Sequence, residues 1–222
     1  MSRHLDVVFL DVGGVLYSDA RYRDSLRRAL RELGASFADE QFDRAYAECR
    51  ALQAGSFRRR LTERFLGPAA DPREVERRAS RWWRYGREDL YPDARPAVAA
   101  LRDAGYRLGI VANQPSAVRE ALERDGLADA FEVWVVSEDV GLEKPDPHLF
   151  ARALELAGAE PSRAAMVGDR LDYDVRPAKA VGMRAVWILR GEAPDDPTPE
   201  QLAEPDAAIR SLAQLPAVLE AL

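Results

Sequence analysis

Three short apolar runs in this chain lead into charged motifs, and that repeated junction constrains the fold more than any other feature. Residues 7–10 run into Asp11-Val12-Gly13-Gly14-Val15-Leu16, residues 133–136 lie shortly before Lys144-Pro145-Asp146-Pro147, and residues 164–167 run into Gly168-Asp169-Arg170-Leu171-Asp172-Tyr173-Asp174-Val175. Short, uninterrupted apolar runs bounded by turn signals read as strands buried on both faces, the habit of parallel sheets. Ligands of open α/β sheets collect beyond the carboxyl ends of such strands. The three motifs therefore predict carboxylates and a lysine gathered at one crevice, a composition suited to a cation and to phosphoryl groups.

Between the first motif and Pro92 the pattern changes. An arginine-rich region from about Asp19 to Glu88 carries apolar residues at helical spacing: Tyr22, Leu26, Ala29, Leu30 and Leu33, then Phe42, Ala45, Tyr46, Cys49 and Leu52. A third stripe of Phe57, Leu61 and Phe65 stops at Gly67-Pro68, and a fourth begins at Asp71-Pro72, a cap followed by a first-turn proline. This spacing predicts four short amphipathic helices in a small bundle, the last stripe continuing through Val75 and Ala79 to Trp82 in its core. From Pro92 onward, strands expected at 107–112, 132–136, 164–167 and 184–189 alternate with helices, and a short strand at 207–209 precedes the last helix. Such alternation argues for a parallel sheet with right-handed crossovers. The expected fold is α/β: a doubly wound, parallel-sheet (Rossmann-like) core from residues 1–17 and 92–222, with an α-helical bundle cap inserted at 18–91.

Bulk properties remove several function classes. The 222 residues carry a net charge of −6 with acids and bases interspersed and no basic stripe, so no nucleic-acid surface is expected. Cys49 is the only cysteine, which excludes an internal disulfide or a cysteine zinc cluster and fits a reducing compartment. No apolar stretch reaches the roughly 20 residues of a membrane span, and the apolar start is broken by Asp6 and Asp11 without a small-residue cleavage pattern. The expectation is a cytoplasmic protein with a small-molecule partner and no membrane. Among 32 basic residues only Lys144 and Lys179 are lysines. Where arginine is the default, a lysine at 144 fits a need for a compact ammonium point charge at phosphate, although Lys179, inside an expected helix, shows that lysine also occurs without one.

On the Asp11 motif, Lys144, and Gly168-Asp169 with Asp174, the chain resembles the haloacid dehalogenase-like hydrolase superfamily, most of whose members are magnesium-dependent phosphatases. The resemblance spans nearly the whole chain, and the helical region falls where that superfamily inserts a cap. It implies Asp11 as nucleophile and Lys144 as its catalytic partner. It also implies Mg2+ held by Asp11, Asp169 and the backbone carbonyl of Gly13, with Asp174 binding through water or orienting Lys144. Phosphate contacts would come from Gly14 and, after the second strand, from Ala112, Asn113 and Gln114. The residue types suit the chemistry. In-line attack by a carboxylate gives an aspartyl phosphate that water then hydrolyses, so one hard displacement becomes two easier ones. Hard carboxylate oxygens match magnesium, and a fixed ammonium supplies positive charge where the transferred phosphoryl group needs it.

Two positions depart from the superfamily pattern. Most phosphatases of this kind carry a second aspartate two residues after the nucleophile as general acid and base, and here that residue is Gly13. Positioned acid–base catalysis contributes about 10²–10⁴-fold, so its loss weighs most on alkyl phosphates and least on acyl, aryl or anomeric phosphates. Ala112 stands where a Ser or Thr hydroxyl normally binds phosphate, removing one charge-assisted hydrogen bond of roughly 1.5–3 kcal/mol unless Asn113, Gln114 or a backbone N–H replaces it. The leading expectation is a magnesium-dependent hydrolase of a small phosphorylated metabolite, weak or restricted to good leaving groups. Two alternatives stand beside it: a 2-haloacid dehalogenase using the same aspartate without metal, and a non-catalytic phosphate or metabolite binder. Bland roles are expected for the Arg58-Arg59-Arg60 run, as a solvated helix face, and for Asp172, as a cap or solvent-facing acid.

Overall fold

The computed structural model describes residues 5–222, so positions 1–4 of the expected core segment lie outside the described residues. Six parallel strands form one sheet in the order β3-β2-β1-β4-β5-β6, from β1 (Val7–Leu10), β2 (Arg107–Ala112), β3 (Val133–Val136), β4 (Ala164–Gly168), β5 (Arg184–Ile188) and β6 (Ala207–Ile209). The strand order reverses between β1 and β4, the two strands that bear Asp11 and Asp169 at their ends. Such a reversal opens the crevice in which α/β proteins bind ligands.

Strand side chains alternate between the two faces. Val8, Leu10, Ile110, Val167 and Val186 pack on one side, with α5 (Ala94–Asp103), α6 (Val118–Arg124) and α11 (Leu215–Ala221). Val7, Phe9, Val111, Met166 and Trp187 pack on the other, with α8 (Pro147–Ala157) and α9 (Arg176–Ala180). The short helices α7 (Ser137–Val140) and α10 (Pro199–Leu202) complete the α/β part. Burial on both faces is why the strands read as unbroken apolar runs.

The inserted region contains α1 (Ala20–Glu32), α2 (Asp39–Leu52), α3 (Phe57–Leu66) and α4 (Pro72–Ala79). These helices bury a core of their own, in which Leu26, Leu30, Phe42, Leu61 and Val75 meet. Three differences from the expected pattern are informative. Trp82 is 48% exposed whereas Trp83 is 7% exposed and packs with the sheet's cluster. The helix ends at Ala79, and the Trp83 N–H bonds the Ala79 carbonyl at 3.2 Å, so the Val75–Ala79 stripe continues four residues on to 83 rather than three to 82. Trp82 is covered instead by the Arg28 guanidinium, 3.2 Å from its ring centre. The arginine run splits: Arg59 and Arg60 are exposed, while Arg58 turns to Glu76. The helix expected near 174–181 starts earlier, as one wide π-helical turn over Leu171–Val175 in which Asp174 is buried.

Candidate active site

The first motif leaves β1 as a tight loop. The Val12 carbonyl accepts from the N–H groups of Leu16 at 2.8 Å and Tyr17 at 3.0 Å, folding the chain back on itself. Gly14 has φ +67°, and a Cβ there would overlap the Asp169 carboxylate, so only glycine lets this loop lie against β4's end. Arg190, just beyond β5, braces the loop from outside. Its guanidinium donates to the carbonyls of Gly14 (3.2 Å) and Val15 while pairing with Asp93 at 2.8 Å.

At the centre, Lys144 Nζ lies 2.8 Å from Asp11 Oδ2 and 2.7 Å from Asp174 Oδ1, with the lysine side chain 2% exposed. The Asp11 Oδ1 atom accepts the Val12 N–H at 2.7 Å. Both oxygens of Asp174 are engaged, since Oδ2 accepts the Arg170 N–H at 3.0 Å. Carboxylate oxygens of Asp11, Asp169 and Asp174 lie within 4.8 Å of one another. Asp169 is oriented by the Glu192 N–H, which donates to its Oδ2 at 2.6 Å, and its backbone carbonyl accepts from Trp187 Nε1 at 2.8 Å.

The electrostatics follow from burial. Desolvation pushes Asp11 up to about 6 against the pull of Lys144, with Asp174 adding to the rise. Burial opposes the charge on Lys144, but Asp11 and Asp174 together outweigh it and hold the ammonium above the ordinary lysine range. Asp169 is driven well above the usual carboxylate value by burial and by Asp19, Asp174, Glu192 and Asp11 around it. The protein by itself therefore assembles more negative charge here than one lysine balances.

The residues after β2 behave unequally. Ala112 is fully buried in the sheet's cluster. Asn113 clamps the lysine: its Nδ2 donates to the Lys144 carbonyl at 2.9 Å and its Oδ1 accepts the Lys144 N–H at 2.7 Å. Gln114 reaches across, Nε2 donating to the Tyr85 hydroxyl at 3.2 Å, while its buried Oε1 has no protein partner among the described residues. Asp172 is held by Arg170, bidentate at 2.8 and 2.9 Å.

Four neighbours of the site lay outside the sequence expectations: Asp19, Tyr85, Glu192 and Arg190. Of these only Arg190 and Glu192 carried a signal, being charged residues just past a strand's carboxyl end. Glu192 also joins core and cap, accepting from the Tyr46 hydroxyl at 3.0 Å and from Arg170 Nη1 at 3.1 Å. The fully buried Gln53 completes that joint, its Nε2 donating to the Glu192 carbonyl and its Oε1 accepting the Leu171 N–H, each at 2.8 Å. The helical insertion is thus tied to the core at Leu171 and Glu192, residues that follow the ends of β4 and β5.

A six-stranded doubly wound sheet with an acidic, lysine-bearing crevice at its carboxyl edge and a helical insertion after β1 is a Rossmann-like α/β protein with a candidate cation site at its switch point. Residues 5–182 match the family model for haloacid dehalogenase-like hydrolases, and the chain belongs to that family. Among its relatives, the phosphoserine phosphatase of Thermus thermophilus is 39% identical over 171 residues, covering 76% of this chain and 67% of that protein. The glyceraldehyde 3-phosphate phosphatase of Methanopyrus kandleri is 32% identical over 203 residues, covering 86% and 87%. In three dimensions the chain is similar to a HAD phosphatase from Thermococcus onnurineus, with 29% identity, TM-score 0.63 and coverage of 97% and 98%. The predicted phosphoglycolate phosphatase of Haemophilus somnus shares the fold at 21% identity with TM-score 0.78, covering 98% and 99%. No helix among the described residues is long and apolar enough to cross a membrane.

Proposed function

We propose that this protein is a magnesium-dependent phosphatase acting on a small phosphorylated metabolite through an aspartyl phosphate on Asp11. The observation that carries the reading is the position of Lys144, shared between the Asp11 and Asp174 carboxylates at 2.8 and 2.7 Å beside a third carboxylate, Asp169. The donor set fits a hard divalent cation. Its atoms are carboxylate oxygens, they converge, and their combined charge exceeds what Lys144 offsets. Asp11 and Asp169 would hold Mg2+, together with the carbonyl of Gly13, while Asp174, 2.7 Å from the ammonium, would orient Lys144 or reach the ion through water. When bound, the ion would supply Lewis-acid neutralisation of the phosphoryl oxygens.

The chain's own residues do the rest. Asp11 Oδ2 attacks phosphorus. Lys144 keeps that carboxylate ionised and directed, and faces the phosphoryl oxygens as their charge is redistributed. In this reading the loop after Asp11 and Gln114 flank the phosphate, with the Gly14 N–H given to the Tyr17 carbonyl at 2.8 Å and the Gln114 N–H to Ser137 Oγ at 3.1 Å. The cap, fastened through Gln53, Tyr46 and Glu192, keeps bulk water from the aspartyl phosphate. Three converging carboxylates weigh against a metal-free dehalogenase, because an anionic haloacid would meet them unshielded.

The test is phosphate release from a panel of sugar 1-phosphates, acyl phosphates and alkyl phosphates, each with Mg2+ and with chelator. Turnover that disappears on chelation and returns with Mg2+ is expected; release that ignores chelation would remove the reading.

Protons and the cation should also compete. In the metal-free protein the Asp11 carboxyl, raised to about 6, favours folding most below its unfolded value near 4, and that contribution is lost as pH rises through 6. A cation requires the ionised form, so its stabilisation grows in the opposite direction. Calorimetric melting with and without saturating Mg2+ should show a small rise in Tm at pH 5 and a larger one at pH 7.5. A Mg2+ effect constant across that window would contradict the buried-carboxylate assignment.

A further inference from the structure

Asp19 stands immediately before α1, where a short acidic side chain ordinarily caps a helix, yet its carboxylate makes no capping hydrogen bond. It is turned toward the first motif instead. A Cβ built on Gly13 would lie 2.5 Å from Asp19 Oδ1 and 3.1 Å from the Tyr85 hydroxyl. The Asp19 carboxyl thus fills the space into which a side chain at position 13 would extend.

The Tyr85 hydroxyl faces the same space beside Gly13, where Gln114 Nε2 donates to it at 3.2 Å. The Tyr85 ring stacks on Tyr17 at 4.5 Å between centres, and the Tyr17 hydroxyl donates to the buried Asp125 at 2.8 Å. Of the other carboxyls near Asp11, Asp174 has both oxygens engaged by Lys144 and the Arg170 N–H, Glu192 has both engaged by Tyr46 and Arg170, and Asp169 is the one assigned to the cation. Reaction of an alkyl phosphate by way of Asp11 needs a proton donor for the leaving oxygen, and Gly13 has none.

We propose that Asp19 is the general acid and base of this enzyme, supplying from the start of α1 the carboxyl group that position 13 lacks. The inference rests on the phosphatase reading. In the first half-reaction a bond forms between Asp11 Oδ2 and phosphorus while the phosphorus–ester oxygen bond breaks. The leaving oxygen keeps the electron pair, takes the Asp19 carboxyl proton and departs as an alcohol. In the second, the Asp19 carboxylate takes a proton from water as the water oxygen bonds to phosphorus. The phosphorus–Oδ2 bond breaks, the Asp11 carboxylate returns, and inorganic phosphate leaves with Asp19 protonated again.

The test compares wild type with Asp19→Asn, both Mg2+-loaded, on phosphate monoesters running from 4-nitrophenyl phosphate to simple alkyl phosphates. For alkyl esters kcat/KM should fall about 10²–10⁴-fold. The loss on 4-nitrophenyl phosphate should be smaller, since that leaving group departs without a proton, and the dependence of rate on leaving-group pKa should steepen. Acid-quenched samples should show more phosphorylated protein by intact mass in the variant, because the water attack has lost its base. Gly13→Asp placed on Asp19→Ala, where the space has been vacated, should recover alkyl-ester turnover relative to Asp19→Ala alone; this pair carries the comparison if Asp19→Asn folds poorly. Equal losses on aryl and alkyl esters, or no recovery in the double variant, would overturn the role of Asp19 while leaving the phosphatase reading in place. A wild type that turns over no ester at all removes both.

Discussion

Asp11→Asn should abolish phosphate release, by about 10⁴-fold or more, the scale on which nucleophile deletions act in covalent catalysis. The substitution is nearly isosteric. The asparagine Oδ1 can still accept the Val12 N–H, which Asp11 holds at 2.7 Å, so the loop after β1 keeps its conformation. What vanishes is the anionic Oδ2 that faces Lys144 at 2.8 Å. A neutral amide is a far weaker nucleophile, so no phosphoenzyme should form in the variant by intact mass, whereas wild type mixed with a fast-reacting aryl phosphate should show one on acid quench. Because the change removes one of several crowded carboxylates, the metal-free variant should melt no lower than wild type, separating loss of chemistry from loss of fold. Turnover within tenfold of wild type would mean that another group attacks phosphorus.

The core of that arrangement was readable from residue order alone because it depends on strand ends. Parallel strands buried on both faces leave unbroken apolar runs, and Asp11 and Asp169 follow such runs closely, while Asp174 was told from Asp172 by the family pattern. Lys144 stood out as a lysine in an arginine-rich chain. The same logic located the four inserted helices, each with one apolar stripe to bury. It failed where a residue's role is set by another part of the chain. Asp19 has the identity and place of an ordinary helix cap, and only the three-dimensional closeness of Gly13 and Tyr85 reveals that it caps nothing. Tyr85 sits in an arginine-rich stretch with no periodicity to mark it, and its orientation comes from stacking on Tyr17. Asn113 looked like a phosphate contact by its position after β2, yet its carboxamide clamps the backbone of Lys144, a pairing across 31 residues that no local pattern encodes. Trp83 took the core position expected of Trp82 because the helix ended at Ala79, and a helix end is the least legible part of a periodic signal.

Lys144→Met should produce the largest loss of stability among single changes at the site. The ammonium is 2% exposed and is the only cation paired with either Asp11 or Asp174 among the described ion pairs. Removing one partner of a buried ion pair leaves uncompensated charge at a cost of about 3–5 kcal/mol, and methionine fills the volume without supplying it. The penalty depends on protonation in a defined direction. With the lysine gone, the Asp11 carboxyl, already raised to about 6, rises further, so the metal-free variant relieves its strain by binding a proton. Urea denaturation in chelator should therefore show the deficit most clearly at pH 7.5 and a smaller one at pH 5, and added Mg2+ should recover part of it by placing positive charge beside the same carboxylates. Turnover should fall about 10²–10³-fold even when Mg2+ restores the fold, since a preorganised charge at the transferred phosphoryl group acts in a position the cation does not occupy. Lys144→Arg should not rescue turnover, because a planar guanidinium cannot reproduce a compact charge wedged 2.7 and 2.8 Å from two carboxylates. A deficit below about 1 kcal/mol at pH 7.5, within the range of an exposed pair, would show that the lysine and its two carboxylates are not coupled in the folded protein.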